Sequence, residues 1–125
     1  MNGHDISLIV AGMIGCGVAI VHGVLTQRLL VKPTLELSLP RLARKLIPGL
    51  LQFSTFNWFV GGLALIVAAN SFEQEARLAT CLLVGSSYLY GTLGNLWATR
   101  GRHPGWMLYA LALVLIVFGV NTSGG

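Results

Sequence analysis

The chain has 125 residues, of which 54% are hydrophobic and 10% are charged, a length suited to one domain. Soluble globular domains carry roughly 25% charged residues, so the composition argues against a soluble globule. The net charge is +4, but most of the basic residues sit in two short segments between apolar runs. This distribution is typical of cytoplasmic membrane loops and does not indicate a nucleic-acid-binding surface.

Four apolar segments approach or exceed the span of about 20 residues that a membrane helix needs. In chain order they cover about residues 6–30, 49–69, 76–98 and 105–120. Asp5 is placed to cap the first segment, and Pro48 and Pro104 precede the second and fourth. The first segment lacks the basic flank and cleavage site of a signal peptide, so we expect it to remain as a helix. The sequence predicts an all-α, integral membrane four-helix transmembrane bundle that forms one domain over 1–125.

Charge predicts the orientation of this bundle. The loop over 31–47 and the loop before the fourth segment are basic, whereas the other ends are acidic or uncharged. By the positive-inside rule both basic loops are cytoplasmic, which leaves both termini outside.

The basic loops also predict contacts with membrane lipid. Residues 40–46 in the predicted interfacial loop read as a short amphipathic turn. The predicted anionic headgroup contacts are Arg41, Arg44, Lys45, Arg100 and Arg102. Two alternatives to lipid contacts stay open. The charges of the first loop could merely set the topology, and residues 100–105 could form a tight turn anchored by Trp97 and Trp106.

Polar side chains of the first three segments gather in the halves nearest the basic loops. The predicted intramembrane cluster is His22, Gln27, Gln52, Asn57, Ser87, Tyr88 and Asn95. Because an unpaired polar group in lipid costs several kcal/mol, we expect these residues to face one another. They form either interhelical hydrogen bonds or a binding site. The fourth segment has no polar stripe, which predicts that it is the most lipid-exposed helix.

His22 is the ionisable residue of this cluster, and an ionisable group inside a span suggests function. It is a candidate for a proton-linked switch, a metal or porphyrin ligand, or a satisfied hydrogen-bond partner. His103 could join it only if the loop folds back, so we predict no cofactor and no metal. Cys16 and Cys81 lie in apolar runs without a CxxC pair and are predicted to be buried thiols.

Several residues carry a resemblance to a known group of proteins. They are His22, Gln27, Arg28, Pro33, Arg44, Trp58 and the run from Arg100 to His103. The chain resembles a family of small bacterial inner-membrane proteins that have four predicted spans and no assigned function. This resemblance implies the four-span fold and a location in the bacterial inner membrane. In that membrane, the outside termini expected from the positive-inside rule are periplasmic. The chain departs from the family pattern in lacking an acidic residue near Gln27 and a histidine near Gln52.

No carboxylate lies within a predicted span, and no spacing of nucleophile and base indicates catalysis, so the chain is not predicted to be an enzyme. Glycine-rich helix faces and little mass outside the membrane favour a non-catalytic accessory or structural subunit. Its expected partners are lipid and other membrane subunits, or a second copy of the chain. The alternative is a homodimeric transporter or binding protein for small molecules or ions, with a polar pocket facing the cytoplasm.

Overall fold

A computed structural model describes residues 1–121 of the chain. The helices are α1 (Gly3–Thr26), a π-helical segment (Gln27–Val31), α2 (Lys32–Leu35), α3 (Arg41–Ser71), α4 (Gln74–Thr99) and α5 (Gly105–Gly119). The described part of the chain contains no strand, so the prediction of an all-α protein with four packed helices is confirmed.

The first helix begins with a reciprocal cap, in which Asn2 and not Asp5 is the capping residue. The Asn2 side chain accepts a hydrogen bond from the Asp5 amide at 2.9 Å, and the Asn2 amide donates to the Asp5 carboxylate at 3.4 Å. Asp5 therefore lies in the first helical turn, where a carboxylate interacts favourably with the free amides of the helix end. The predicted capping role of Asp5 was wrong by one turn.

The predicted loop over 31–47 is mostly helical. The π-helical segment and α2 extend the first helix to Leu35, and α3 starts at Arg41. Pro48 lies inside α3 and does not precede it, because the arginines, leucines and lysine ahead of it are strong helix formers. Proline inside a helix removes one backbone hydrogen bond, and long apolar helices tolerate this loss. The amphipathic turn predicted at 40–46 is thus the start of α3.

The four long helices form a ring in which each contacts two neighbours: α1 with α3, α3 with α4, α4 with α5, and α5 with α1. Neighbouring helices run antiparallel. Ser7 near the start of α1 donates to the Leu115 carbonyl near the end of α5 at 2.7 Å, for example. The N-terminus and the α3–α4 connection therefore share one end of the bundle. We call the other end, which holds the α2–α3 and α4–α5 connections, the basic end.

Glycines set the crossing of α1 and α3. A Cβ atom added to Gly62 would lie 2.6 Å from the carbonyl oxygen of Gly12, and one added to Gly12 would overlap the carbonyl oxygen of Gly62. The two backbones therefore meet directly, as they do at small-residue interfaces between membrane helices.

The fourth long helix is not the most exposed one. Four of the 15 residues of α5 are buried, namely Tyr109, Ala112, Ile116 and Gly119. Four of the 31 residues of α3 are buried. The prediction that α5 is the most exposed helix was wrong. It relied on the absence of a polar stripe, but the inner face of α5 is built from tyrosine, alanine and glycine at spacings of three and four.

Arg77 joins three helices at the end opposite the basic end. Its side chain is 2% exposed and donates to the Asp5 carboxylate at 2.6 Å. Its Nε and Nη2 atoms donate to the Gly119 carbonyl at 3.0 and 2.7 Å. The cation therefore neutralises an acid of α1 and binds the carbonyl end of α5, where the helix dipole favours positive charge.

Two helical stretches are long and apolar enough to cross a membrane, Gly3–Leu35 with 33 residues and Arg41–Ser71 with 31 residues. Helix α5 is apolar but has 15 residues. Large apolar side chains also cover the outside of the bundle, and Leu50, Leu83 and Val117 are 71, 75 and 73% exposed.

Candidate functional site

His22 is a half-buried polar residue that α1 directs toward α3. Its Nε2 atom lies 3.1 Å from the Ser54 hydroxyl and 3.3 Å from the hydroxyl of Thr26, one turn along α1. The imidazole also meets the Trp58 indole edge-on, with ring centroids 4.7 Å apart. Two hydroxyls and an aromatic ring therefore fix the orientation of this side chain.

A second polar group occupies a different face of α1. Gln52 of α3 donates to the Gly23 carbonyl at 2.9 Å and to the Gln27 side chain at 3.4 Å. Thr55 donates to the Gln52 side-chain oxygen at 2.9 Å. These residues line a surface groove with Arg28 and Lys32, separate from the surroundings of His22.

A third polar group links α3 to α4. Asn57 donates to the Ser87 hydroxyl at 2.8 Å, and the Trp58 indole N–H donates to the Ser87 carbonyl at 3.3 Å. The Tyr88 hydroxyl donates to the Trp58 carbonyl at 3.0 Å. Each polar side chain here has its partner within the bundle, so this group serves as interhelical packing.

A cavity of about 460 Å³ lies at the basic end among all four long helices. Its polar and aromatic lining comes from His22, Ser54, Trp58, Tyr90, Asn95, His103 and Tyr109. Most of the remaining lining is aliphatic or glycine. This volume and this mixture of apolar walls with a few polar groups are typical of small-molecule sites.

Two residues of the cavity lining carry unsatisfied polar atoms. Within residues 1–121, Asn95 Oδ1 and Tyr109 Oη are the buried side-chain atoms without a hydrogen-bond partner, and both residues line the cavity. Tyr109 is 3% exposed, and its ring lies against Trp58 and Tyr88. An unpaired buried polar atom costs about 1–3 kcal/mol, so the stability of the bundle is lowered at this site.

The α4–α5 connection brings His103 to the cavity. Helix α4 ends at Arg100 in the left-handed conformation, with φ of 52°, and Gly101 follows with φ of 76°. The turn folds back so that the Gly105 amide donates to His103 Nδ1 at 3.1 Å. Because an amide can only donate, neutral His103 carries its proton on Nε2. The imidazole thus keeps its Nε2–H as a donor for another partner.

The structure divides the predicted polar cluster. His22 and Asn95 meet at the cavity, whereas Gln27 and Gln52 line the separate groove. Asn57, Ser87 and Tyr88 lie between α3 and α4. Their expected convergence on one site was therefore wrong. Helix rotation separates His22 from Gln27, since five residues correspond to about 140° around a helix axis.

The sequence interpretation missed Tyr109 and left His103 conditional on a folded loop. The loop does fold back. A signal for Tyr109 existed, since it is the sole tyrosine in the apolar run of 105–120.

The predicted headgroup contacts all lie at the basic end and are exposed: Arg41, Arg44, Lys45, Arg100 and Arg102. Arg44 also donates to the carbonyls of Leu35 and Leu37 at 2.7 and 3.1 Å, and so holds the α2–α3 connection. The segment after α4 is a tight turn, and Trp106 donates from its indole to the Gly101 carbonyl at 3.3 Å. Binding of lipid by these side chains stays a prediction.

Among residues 1–121 no three His, Cys, Asp or Glu side chains are close enough to hold a metal ion. Cys16 and Cys81 are free thiols in different helices. Cys81 is buried as expected, and the half-buried Cys16 lies 3.5 Å from the Phe59 carbonyl.

No family model, curated protein or solved structure matches the chain.

Proposed function

We propose that the chain is an integral membrane protein whose four helices bind a small molecule in the cavity at the basic end. The cavity carries this proposal, because it combines a ligand-sized volume with buried polar atoms that lack partners. This is the binding alternative raised by the sequence.

Membrane insertion is supported by two long apolar helices and by the exposed apolar surface. The four-span arrangement rests on the ring of antiparallel helices, whose charged residues gather at its two ends. Arg77 is compatible with such a location, because its charge is paired and its N–H groups are bonded. The positive-inside rule then places the basic end in the cytoplasm and both termini outside.

A role as an accessory subunit stays a prediction. The outer apolar surface that a protein partner would need is the same surface that a bilayer would cover. The cavity, in contrast, is a specific feature of the described residues and is accessible to experiment.

The cavity contains two positions suited to a steric test. Gly17 and Gly94 line it, and a Cβ atom at either position would have no neighbour within 4 Å. Leucine there would occupy cavity space without a backbone clash, and it favours helix formation over glycine. Gly49 of α3 is equally open but lies outside the cavity, so Gly49→Leu is the matched control.

The experiment compares the small molecules that co-purify with each variant from its native membrane, by mass spectrometry of gentle extracts. We expect the parent and Gly49→Leu to carry the same bound compound. The double variant Gly17→Leu/Gly94→Leu should carry about tenfold less of this compound per protein molecule while keeping its helical circular dichroism. Equal retention by the double variant, or a parent that carries no compound, would contradict the proposal.

A further inference from the structure

The charge at the basic end of the bundle is strongly positive. Of the eight lysines and arginines, Arg77 lies at the opposite end, so the remaining seven belong to the basic end. Of the four acids, Asp5, Glu73 and Glu75 lie at the opposite end, which leaves Glu36. Seven cations against one acid produce a field that attracts anions to this end of the bundle, where the cavity lies.

Hydrogen-bond donors are concentrated on one side of the cavity. In neutral His103 the Nε2–H remains to donate to an acceptor on a ligand, because Nδ1 already accepts from the Gly105 amide. Gly105 begins α5, so the positive end of this helix dipole lies at the cavity wall. Tyr109 of the same helix also lines the cavity, and its buried hydroxyl has no hydrogen-bond partner in the described chain.

The rest of the cavity is suited to an apolar body. Val18, Val21 and Leu25 of α1 face Leu108 of α5 across it, and the Trp58 ring forms part of the wall. A volume of about 460 Å³ is that of a drug-sized ligand, large enough for a single acyl chain or a fused pair of rings.

We propose that the ligand is an amphipathic anion, with one apolar body and a carboxylate or phosphate head held at His103 and the start of α5. This inference rests on the proposed binding function and specifies its ligand class. Such a molecule comes either from lipid, as a single-chain acid, or from a pool of free aromatic acids. Both share the acceptor-rich head that the positive end of the cavity selects.

The test measures binding of radiolabelled lauric acid to the protein in phosphatidylcholine nanodiscs, with binding to empty discs subtracted. Unlabelled lauric acid, dodecanol, naphthoic acid and naphthol serve as competitors. We expect each acid to compete at least about tenfold better than its neutral partner. Of lauric acid and naphthoic acid, the one that competes at the lower concentration identifies the source of the ligand, an acyl chain or an aromatic acid.

Two substitutions link this preference to the site. His103→Phe removes both ring nitrogens. We expect this change to lower the affinity for lauric acid about tenfold, while the affinity for dodecanol stays the same. His4→Phe, the same change at the opposite end of the bundle, should alter neither affinity. The unchanged dodecanol value reports an intact cavity.

One contrary result is that dodecanol competes as well as lauric acid in the parent, while neither compound binds Gly17→Leu/Gly94→Leu. That result would overturn the anion preference and leave the proposed binding function in place. Lauric acid binding that is the same in the double variant would also overturn it. The binding function would then be judged by the co-purified compound alone.

Discussion

At the scale of single residues, two tyrosines of the core differ in how their hydroxyls are satisfied. Tyr88 donates to the Trp58 carbonyl at 3.0 Å, whereas the hydroxyl of Tyr109 has no partner within residues 1–121. Their rings are in contact, with centroids 4.8 Å apart, so the surroundings are closely matched. Comparing the two residues therefore shows how hydrogen bonding of a buried tyrosine hydroxyl affects stability, apart from the packing of the ring.

We predict that Tyr109→Phe stabilises the unliganded bundle by about 1 kcal/mol, because it removes a buried hydroxyl that is not hydrogen-bonded. Tyr88→Phe should lower the free energy of unfolding by a similar amount, since it leaves the Trp58 carbonyl without its donor. Thermal unfolding in detergent, followed by circular dichroism, measures both. A Tyr109→Phe variant that is less stable than the parent would contradict the assignment of the unpaired atom.

At the scale of helices, the close approach of α1 and α3 depends on Gly12 and Gly62. We predict that Gly12→Ala lowers the free energy of unfolding by about 1–3 kcal/mol, since the new methyl group meets backbone atoms that cannot rotate away. Gly17→Ala is the control on the same helix, where the methyl group meets no neighbour. It should stabilise the helix by up to about 1 kcal/mol.

Unfolding of both variants by denaturing detergent gives this comparison directly. Equal stability of Gly12→Ala and Gly17→Ala would mean that α1 and α3 are not in backbone contact at this position. The same result would also remove the reason for glycine at residue 62.

The sequence predicted the number and order of the long helices because apolar runs and charged ends are read along the chain. It did not predict how the helices are rotated, which depends on tertiary packing. His22 and Gln27 both lie toward the basic end but point to different sides of the first helix, so one predicted cluster became separate groups. Pro48 misplaced a boundary, since a proline that precedes a helix and one inside it look alike in sequence.

At the scale of the molecule, the separation of charge predicts topology. A reporter fused after Gly125 should lie outside the cytoplasm, so alkaline phosphatase is active there and a green fluorescent protein is dark. A fusion after Ser38, beyond the first long helix, should give the opposite pair of signals. A fluorescent fusion after Gly125 would overturn the four-span orientation.

The contacts of Arg77 also have a consequence for how the molecule is assembled. Its carboxylate partner Asp5 is synthesised before it, but the Gly119 carbonyl follows it by 42 residues. During translation the guanidinium therefore has half of its final partners until α5 emerges and docks between α1 and α4. The ring of helices therefore closes last between α1 and α4, where α5 docks. Before that step the newly made protein passes through a three-helix stage in which the Arg77 cation is incompletely hydrogen-bonded.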